Sequence, residues 1–141
     1  MAEKLIKSAK RVKDLGEVFT PSELVNSMLS KLPKELWKDE AKTFIDPACG
    51  NGNFLVEVVK RKIKAGSSKW QALSTTFGVD IMEDNVLECR ERLLETVKAK
   101  QKRFRKLVEV TIVCGNTMKQ DVDTLFREYQ EKYCQQLHNP L

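Results

Sequence analysis

Three polar side chains stand at or just after the ends of predicted strands and could contact one ligand: those of Asp46, Asp80 and Asn116. Parallel strands place their carboxyl ends at one edge of a sheet, which is where ligands bind in open α/β folds. Asp80 can accept hydrogen bonds from both hydroxyls of a ribose, and Ile81 beside it offers an apolar face to an adenine ring. The Asn116 amide can contact an adenine edge as donor and acceptor. Each is an ordinary loop residue when taken alone, but together they favour a bound adenosine.

A glycine turn, Gly50-Asn51-Gly52, joins the first of these strands to a predicted helix. This order is typical of a nucleotide-binding loop, although an ordinary strand–helix turn has the same pattern. Leu55 stands where a dinucleotide-binding loop has its third glycine, and no Gly-Lys-Ser/Thr is present, which excludes the dehydrogenase fingerprint and the P-loop. Asp46 at the edge of the loop would repel a pyrophosphate but attract an ammonium group. The ligand that fits these features is S-adenosylmethionine. The alternative role of Asp46 is that of an ordinary turn aspartate before Pro47.

The elements that position these residues alternate between helix and strand. Apolar spacing and turn residues predict the following elements. They are helices over 5–12, 20–32 (with Thr20 to Glu23 as a capping box), 54–63, 69–73, 84–97 (capped by Asp84) and, more weakly, 122–133, and strands over 43–45, 76–81 and 107–113. This order is typical of an α/β fold with a parallel sheet. We place an N-terminal helical segment at 1–40 and the α/β domain at 41–141.

Composition excludes several classes of protein. The chain has 141 residues and a net charge of +5. No apolar run reaches the ~18–20 residues of a membrane span, and the N-terminus lacks the apolar stretch of a secretory signal. The four cysteines have neither disulfide-framework nor metal-site spacing, which favours a cytoplasmic location. Cys134 and His138 could share a metal, but no second pair accompanies them, so we expect no metal site.

The excess of basic over acidic residues is local: the run from 98 to 106 holds six basic residues and no acidic one. Such a cluster can bind nucleic-acid phosphates. A solvated helix end, where cations suit the helix dipole, is the alternative and is slightly favoured.

Four segments together resemble the adenine-N6 DNA methyltransferases, the group of modification subunits and fused restriction–modification enzymes. They are Gly16-Glu17-Val18-Phe19-Thr20-Pro21, Asp46-Pro47-Ala48-Cys49-Gly50-Asn51-Gly52-Asn53-Phe54-Leu55, Gly78-Val79-Asp80-Ile81 and Gly115-Asn116-Thr117. They occur in the family's order and span about residues 15–118. The resemblance implies a Rossmann-like methyltransferase fold, S-adenosylmethionine as cofactor and double-stranded DNA as substrate.

The resemblance also implies roles for individual residues. Thr20 helps to hold the methionine carboxylate, and Asp46 with the backbone of the glycine turn holds the methionine end. Asp80 and Ile81 take the ribose and one adenine face, and Asn116 contacts the adenine amine. The full implied cofactor set is Phe19, Thr20, Asp46, Pro47, Ala48, Gly50, Gly52, Asn53, Phe54, Asp80, Ile81 and Asn116.

The family's catalytic motif is Asn/Asp-Pro-Pro followed by an aromatic residue that stacks on the flipped base. Only Asn139-Pro140, a degenerate form of this motif, stands near its expected place, followed by Leu141. A chance Asn-Pro pair in a frayed tail is the alternative and is favoured. We therefore expect an incomplete domain whose activity alone is doubtful. It could be a fragment, one half of a split enzyme completed by a protein partner, or a non-catalytic module that binds S-adenosylmethionine or another protein.

Overall fold

The protein is described by a computed structural model, which covers residues 3–119, 121, 123–124 and 126–127. Its centre is a parallel sheet of β1 (Phe44–Asp46), β2 (Thr76–Asp80) and β3 (Ile112–Cys114), in the order β1-β2-β3. Asp46 pairs in register with Gly78, and Asp80 with Cys114. The predicted α/β class and parallel sheet are thereby confirmed. The carboxyl ends of the strands lie side by side.

Seven helices accompany the sheet in the described part of the chain. They are α1 (Ala9–Leu15), α2 (Ser22–Leu29), α3 (Glu35–Lys38), α4 (Asn53–Lys64), α5 (Lys69–Ser74), α6 (Glu83–Val97) and α7 (Lys102–Thr111). The first three form the predicted N-terminal helical segment. No described helix combines the length and the apolar character needed to cross a membrane. The domain boundary at residue 40 stays a prediction.

The main core lies between the sheet and the helices α4 to α7, where apolar residues such as Leu55, Val59, Leu93 and Ile112 are fully or almost fully buried. A second cluster, which includes Val25 and Trp37, packs α2 and α3 against α4. A smaller third cluster is formed by Val79, Val113 and Phe126. The first two clusters fix α4, and with it the glycine turn that precedes it.

The prediction of a strand over 107–113 is wrong for most of its length. Residues up to Thr111 belong to α7, and β3 begins only at Ile112. Phe104, Leu107, Val108 and Thr111 are all buried. Their i, i+3, i+4, i+7 spacing is that of a helix face, so packing of this face outweighs the strand preference of the β-branched residues.

The predicted capping box is also wrong. α2 begins at Ser22 with Pro21 as its N-cap, and no side chain of the cap position accepts a hydrogen bond. Instead, both carboxylate oxygens of Glu3 lie 3.1 Å from the Ser22 backbone nitrogen and accept a hydrogen bond from it. A carboxylate distant in sequence therefore satisfies a free amide of the helix start. The helix also ends at Leu29, before the predicted end at Leu32.

Two other helix starts differ from prediction. α1 begins at Ala9, and the Ser8 hydroxyl caps it by accepting from the Arg11 amide at 3.1 Å. α6 has Met82, not Asp84, at its N-cap. Asp84 lies in the first turn and binds Arg11. Most of the weak helix predicted over 122–133 falls outside the described residues.

Candidate functional site

A cavity of about 490 Å³ opens at the carboxyl ends of the three strands. Its volume falls within the range of roughly 300–1,000 Å³ typical of small-molecule sites. Its walls are the glycine turn, residues 15–20 and residues 115–118. Eleven of the twelve predicted cofactor residues line it, namely Phe19, Thr20, Asp46, Pro47, Ala48, Gly50, Asn53, Phe54, Asp80, Ile81 and Asn116.

Gly52 is the predicted site residue that does not line the cavity. It is the N-cap of α4 and has a positive φ of 98°. A Cβ at this position would lie 2.8 Å from Sγ of Cys89 in α6. Gly52 therefore allows the turn and α6 to approach each other.

The charged side chains that line the cavity are all acidic. Glu17, Asp46 and Asp80 are among the lining residues, and no lysine, arginine or histidine is. Arg11 lies outside the lining and pairs with Glu17, so the negative charge of the lining comes mainly from Asp46 and Asp80. The start of α4, a helix of 12 residues with Gly52 at its N-cap, adds positive potential. Helix N-termini attract anionic groups. The site therefore suits a ligand with cationic groups and a single carboxylate better than a polyphosphate.

Asp46 lies in a turn and also borders the cavity. Its Oδ1 accepts a hydrogen bond from the Ala48 amide at 3.1 Å, as in an Asx turn. Its carboxylate also lines the cavity. Burial, together with the negative charge of Asp80, raises the pKa of Asp46. A cation bound nearby would relieve both effects.

Asp80 is held by three donors of the protein itself. Its Oδ1 accepts from the Gly50 amide at 3.1 Å, and its Oδ2 accepts from the Met82 amide at 3.1 Å and from Nδ2 of Asn85 at 2.9 Å. A carboxylate offers about four acceptor positions. Asp80 therefore fixes the glycine turn to the end of β2 and retains capacity for a ligand.

Residues 16–21, the Phe-Thr-Pro segment, are fastened over the glycine turn. The Phe19 ring covers Gly50, where a Cβ would come within 3.0 Å of the ring. The Phe19 amide donates to the carbonyl of Leu5 at 2.8 Å, and Asn53 Nδ2 donates to the carbonyl of Thr20 at 2.8 Å. Phe19 and Thr20 thus tie the segment to the N-terminal stretch and to α4, which holds it as a wall of the cavity.

The chain after β3 closes the opposite side. The Gly115 amide donates to the Asp80 carbonyl at 3.0 Å, and the Thr117 hydroxyl donates to the Pro47 carbonyl at 3.2 Å. Asn116 Oδ1 accepts from the Met118 amide at 3.0 Å. Ile81 is 48% exposed, which is high for an isoleucine at the cavity wall. An apolar ring placed against it would remove this surface from water.

Comparison with known proteins shows the family of this chain. The family model for "N-6 DNA Methylase" matches residues 3–131. This chain belongs to the N-6 DNA methylase family. The type II methyltransferase M.VspI of Vibrio sp. (strain 343) is 34% identical over 91 residues, which is 64% of this chain and 20% of that protein. The chain thus spans about a fifth of the length of this relative. No solved structure matches significantly.

The thiol of Cys49 also lines the cavity of this methylase-family chain. A hydrogen bond with Cys89, with burial as a second cause, raises the pKa of the Cys49 thiol above its ordinary value. The surroundings of Cys49 therefore disfavour the thiolate, which is the reactive form of a cysteine.

The sequence analysis missed two polar residues of the site. Glu17 lines the cavity and was quoted only as part of a motif. Asn85 in α6 is fully buried and contacts both Glu17 and Asp80. Glu17 could have been predicted as a site residue from its position near Phe19. No sequence signal pointed to Asn85, because its contacts depend on how α6 packs. Asn139, Pro140, Cys134 and His138 lie outside the described residues.

The basic run lies far from the cavity of this family member. It begins where α6 ends, and a helix of 15 residues spans about 22 Å from the end of β2. Lys98 suits the C-terminal end of that helix, but Lys102 and Arg103 lie in the first turn of α7, where the helix dipole disfavours cations. The helix dipole of α6 thus favours Lys98, but the dipole of α7 does not favour Lys102 and Arg103. Binding of phosphates by this run stays a prediction.

Proposed function

We propose that this chain binds S-adenosylmethionine in the cavity and forms the cofactor-binding part of a DNA adenine-N6 methyltransferase. Membership of the N-6 DNA methylase family supports the reaction class. The observation that carries the choice of cofactor is the charge of the cavity, which is lined by three carboxylates and no basic side chain. S-adenosylmethionine carries a sulfonium, an ammonium and a carboxylate, and no phosphate.

The residues present fit this cofactor group by group. Asp46 would attract the ammonium group, and the free amides at the start of α4 with the Thr20 hydroxyl would take the carboxylate. Asp80 would accept from the ribose, while Ile81 and Asn116 would contact the adenine. When bound, S-adenosylmethionine supplies an electrophilic methyl group on its sulfur.

The protein would contribute to methyl transfer by positioning and electrostatics, without a covalent intermediate. The carboxylates of Asp46 and Asp80 would favour the cationic cofactor over its neutral-sulfur product, whereas the charge of Glu17 is paired with Arg11. By their place in the sequence, Asn139 and Pro140 are the candidates for contact with the target adenine of a flipped base, and a chance Asn-Pro pair is the alternative. Double-stranded DNA is the proposed substrate, with a protein partner as the source of any missing recognition region.

Binding of S-adenosylmethionine by the Asp80→Ala variant tests the cofactor assignment. We expect a loss of affinity of more than about tenfold, or about 1.4 kcal/mol. Glu95→Gln is the matched control because Glu95 is an exposed carboxylate in the last part of α6. Unchanged affinity in Asp80→Ala would remove Asp80 from the site.

Methyl transfer is tested separately by incubating the chain with methyl-labelled S-adenosylmethionine and unmethylated duplex DNA. Label recovered as N6-methyladenine supports a methyltransferase. Cofactor binding without label in DNA supports the alternative of a non-catalytic binding module.

A further inference from the structure

A chain of polar contacts connects α1 to the wall of the cavity. Arg11 Nη2 in α1 donates to Glu17 Oε2 at 2.9 Å, and its Nε lies 2.9 Å from Oε1. The same guanidinium binds Asp84 in the first turn of α6. The side chain of Glu17 is only 11% exposed, and these contacts hold it in the cavity wall.

Asn85 continues this chain of contacts to Asp80. Its Nδ2 donates to Glu17 Oε2 at 2.7 Å and to Asp80 Oδ2 at 2.9 Å. The side chain is fully buried in the first turn of α6. An amide nitrogen carries two protons, so one group can satisfy two carboxylates at once. The reversed amide would set its oxygen against both, which fixes the orientation.

We propose that Asn85 is a positioning residue for the cofactor site, an inference that rests on the proposed function. By bridging two carboxylates that would otherwise repel each other, it holds Asp80 in the orientation in which Asp80 also accepts from the Gly50 amide. Loss of the bridge would move Asp80 and, through Gly50, the glycine turn. Asn85 itself touches no ligand in this account and acts through Asp80.

A double-mutant cycle with S-adenosylmethionine affinity as the readout tests this inference. We expect Asn85→Ala to weaken binding by about tenfold, as for one lost hydrogen bond to a charged group. Asn85→Asp should weaken it more because it adds a third carboxylate. In the Asp80→Ala background, Asn85→Ala should have little further effect, since the side chain that it positions is gone. An equal loss in both backgrounds, or none in either, would overturn the proposal.

Two controls keep the outcome interpretable. Asn26→Ala removes a half-buried amide of α2, which donates to the Ser22 carbonyl, and reports the general cost of such a change. In the unmodified protein, the Asn85 side-chain amide signals in an NMR titration should move as S-adenosylmethionine saturates the site, while those of Asn26 stay. Unmoved Asn85 signals would contradict the proposal even if its variants do not fold. Failure of the unmodified protein to bind S-adenosylmethionine would instead reject the proposed function.

Discussion

Gly78 of β2 and Leu55 of α4 are in such close contact that no side chain fits between them. A Cβ at Gly78 would lie 2.6 Å from Cδ1 of Leu55 and 3.0 Å from Sγ of Cys49. In dinucleotide-binding folds the third glycine of the helix loop permits this approach. Here the loop has Leu55 at that place and the strand supplies the glycine. The contact sets how closely the glycine turn lies against the sheet.

Gly78→Ala should therefore lower the free energy of unfolding by about 1–3 kcal/mol through overpacking. Leu55→Ala alone should cost about 2–5 kcal/mol because Leu55 is fully buried. The double variant should be more stable than the sum of the two losses predicts, since the new methyl group enters the vacated space. Urea denaturation of all four proteins measures this coupling, and strict additivity would show that the two side chains do not compete.

Lys62 supports the end of the sheet opposite the cavity. Its ammonium group donates to the Lys42 carbonyl at 2.7 Å and to the Thr75 hydroxyl at 2.6 Å. Lys62→Met should destabilise the protein by about 1–3 kcal/mol at pH 7 because these acceptors lose their donor. Lys64→Met, at an exposed position of the same helix, is the control.

The effect of Lys62 should also depend on pH. Burial lowers the pKa of Lys62 to about 8, below its ordinary value of 10.5. Between these values the unfolded chain binds more protons than the folded one, so the stability of the unmodified protein relative to Lys62→Met rises as pH increases. A difference that stays constant or falls from pH 8 to pH 10.5 would contradict this assignment.

The ion pairs of Asp84 with Arg11 and Lys7 join α1 and the preceding segment to α6. Hydrogen bonds from Arg11, and then from Lys7, hold the pKa of Asp84 below its ordinary value of 3.8. Its contribution to stability is present above that value and is lost as pH falls through the lower folded pKa. Because these groups are partly solvated, Asp84→Asn should cost at most about 1 kcal/mol at pH 7.

Thermal unfolding of the unmodified protein and Asp84→Asn from pH 7 to pH 2 measures this difference. The two curves should converge in acid. A gap that widens as the pH falls would mean that Asp84 destabilises the fold. The exposed Glu95→Gln change on the same helix should show no such convergence.

Protonation of Asp46 should weaken binding of S-adenosylmethionine in mild acid. Burial and the charge of Asp80 raise the pKa of Asp46 above 3.8, so its negative charge is lost at a higher pH than for an exposed aspartate. Asp46→Asn should reduce affinity by about tenfold at pH 7. It should also remove part of the decline in affinity that the unmodified protein shows as the pH falls below 7. Identical pH profiles for the two proteins would show that Asp46 does not face the cation.

Local signals in the sequence were enough to predict the glycine turn, the first two strands and the polar residues at the strand ends, while the other predicted cavity residues came from the family resemblance. Asp46-Pro47 and Gly50-Asn51-Gly52 fix backbone conformations over a few residues, so their positions follow directly from the sequence. The bridge by Asn85 could not be foreseen, because Asn85 and Glu17 are 68 residues apart. The capping of α2 by Glu3 is likewise a contact between distant segments. The strand predicted over 107–113 was wrong for most of its length because its β-branched residues stand at helical spacing, and tertiary packing decides such cases.

Isothermal titration calorimetry with S-adenosylmethionine and with ATP tests the central claim most directly. Both contain adenosine, but ATP carries a polyphosphate where S-adenosylmethionine carries a sulfonium and an amino acid. Because the cavity is lined by Glu17, Asp46 and Asp80 and no basic side chain, we predict saturable binding of S-adenosylmethionine and none of ATP at the same concentrations. Binding of ATP as tight as that of S-adenosylmethionine, or no binding of S-adenosylmethionine, would contradict the account.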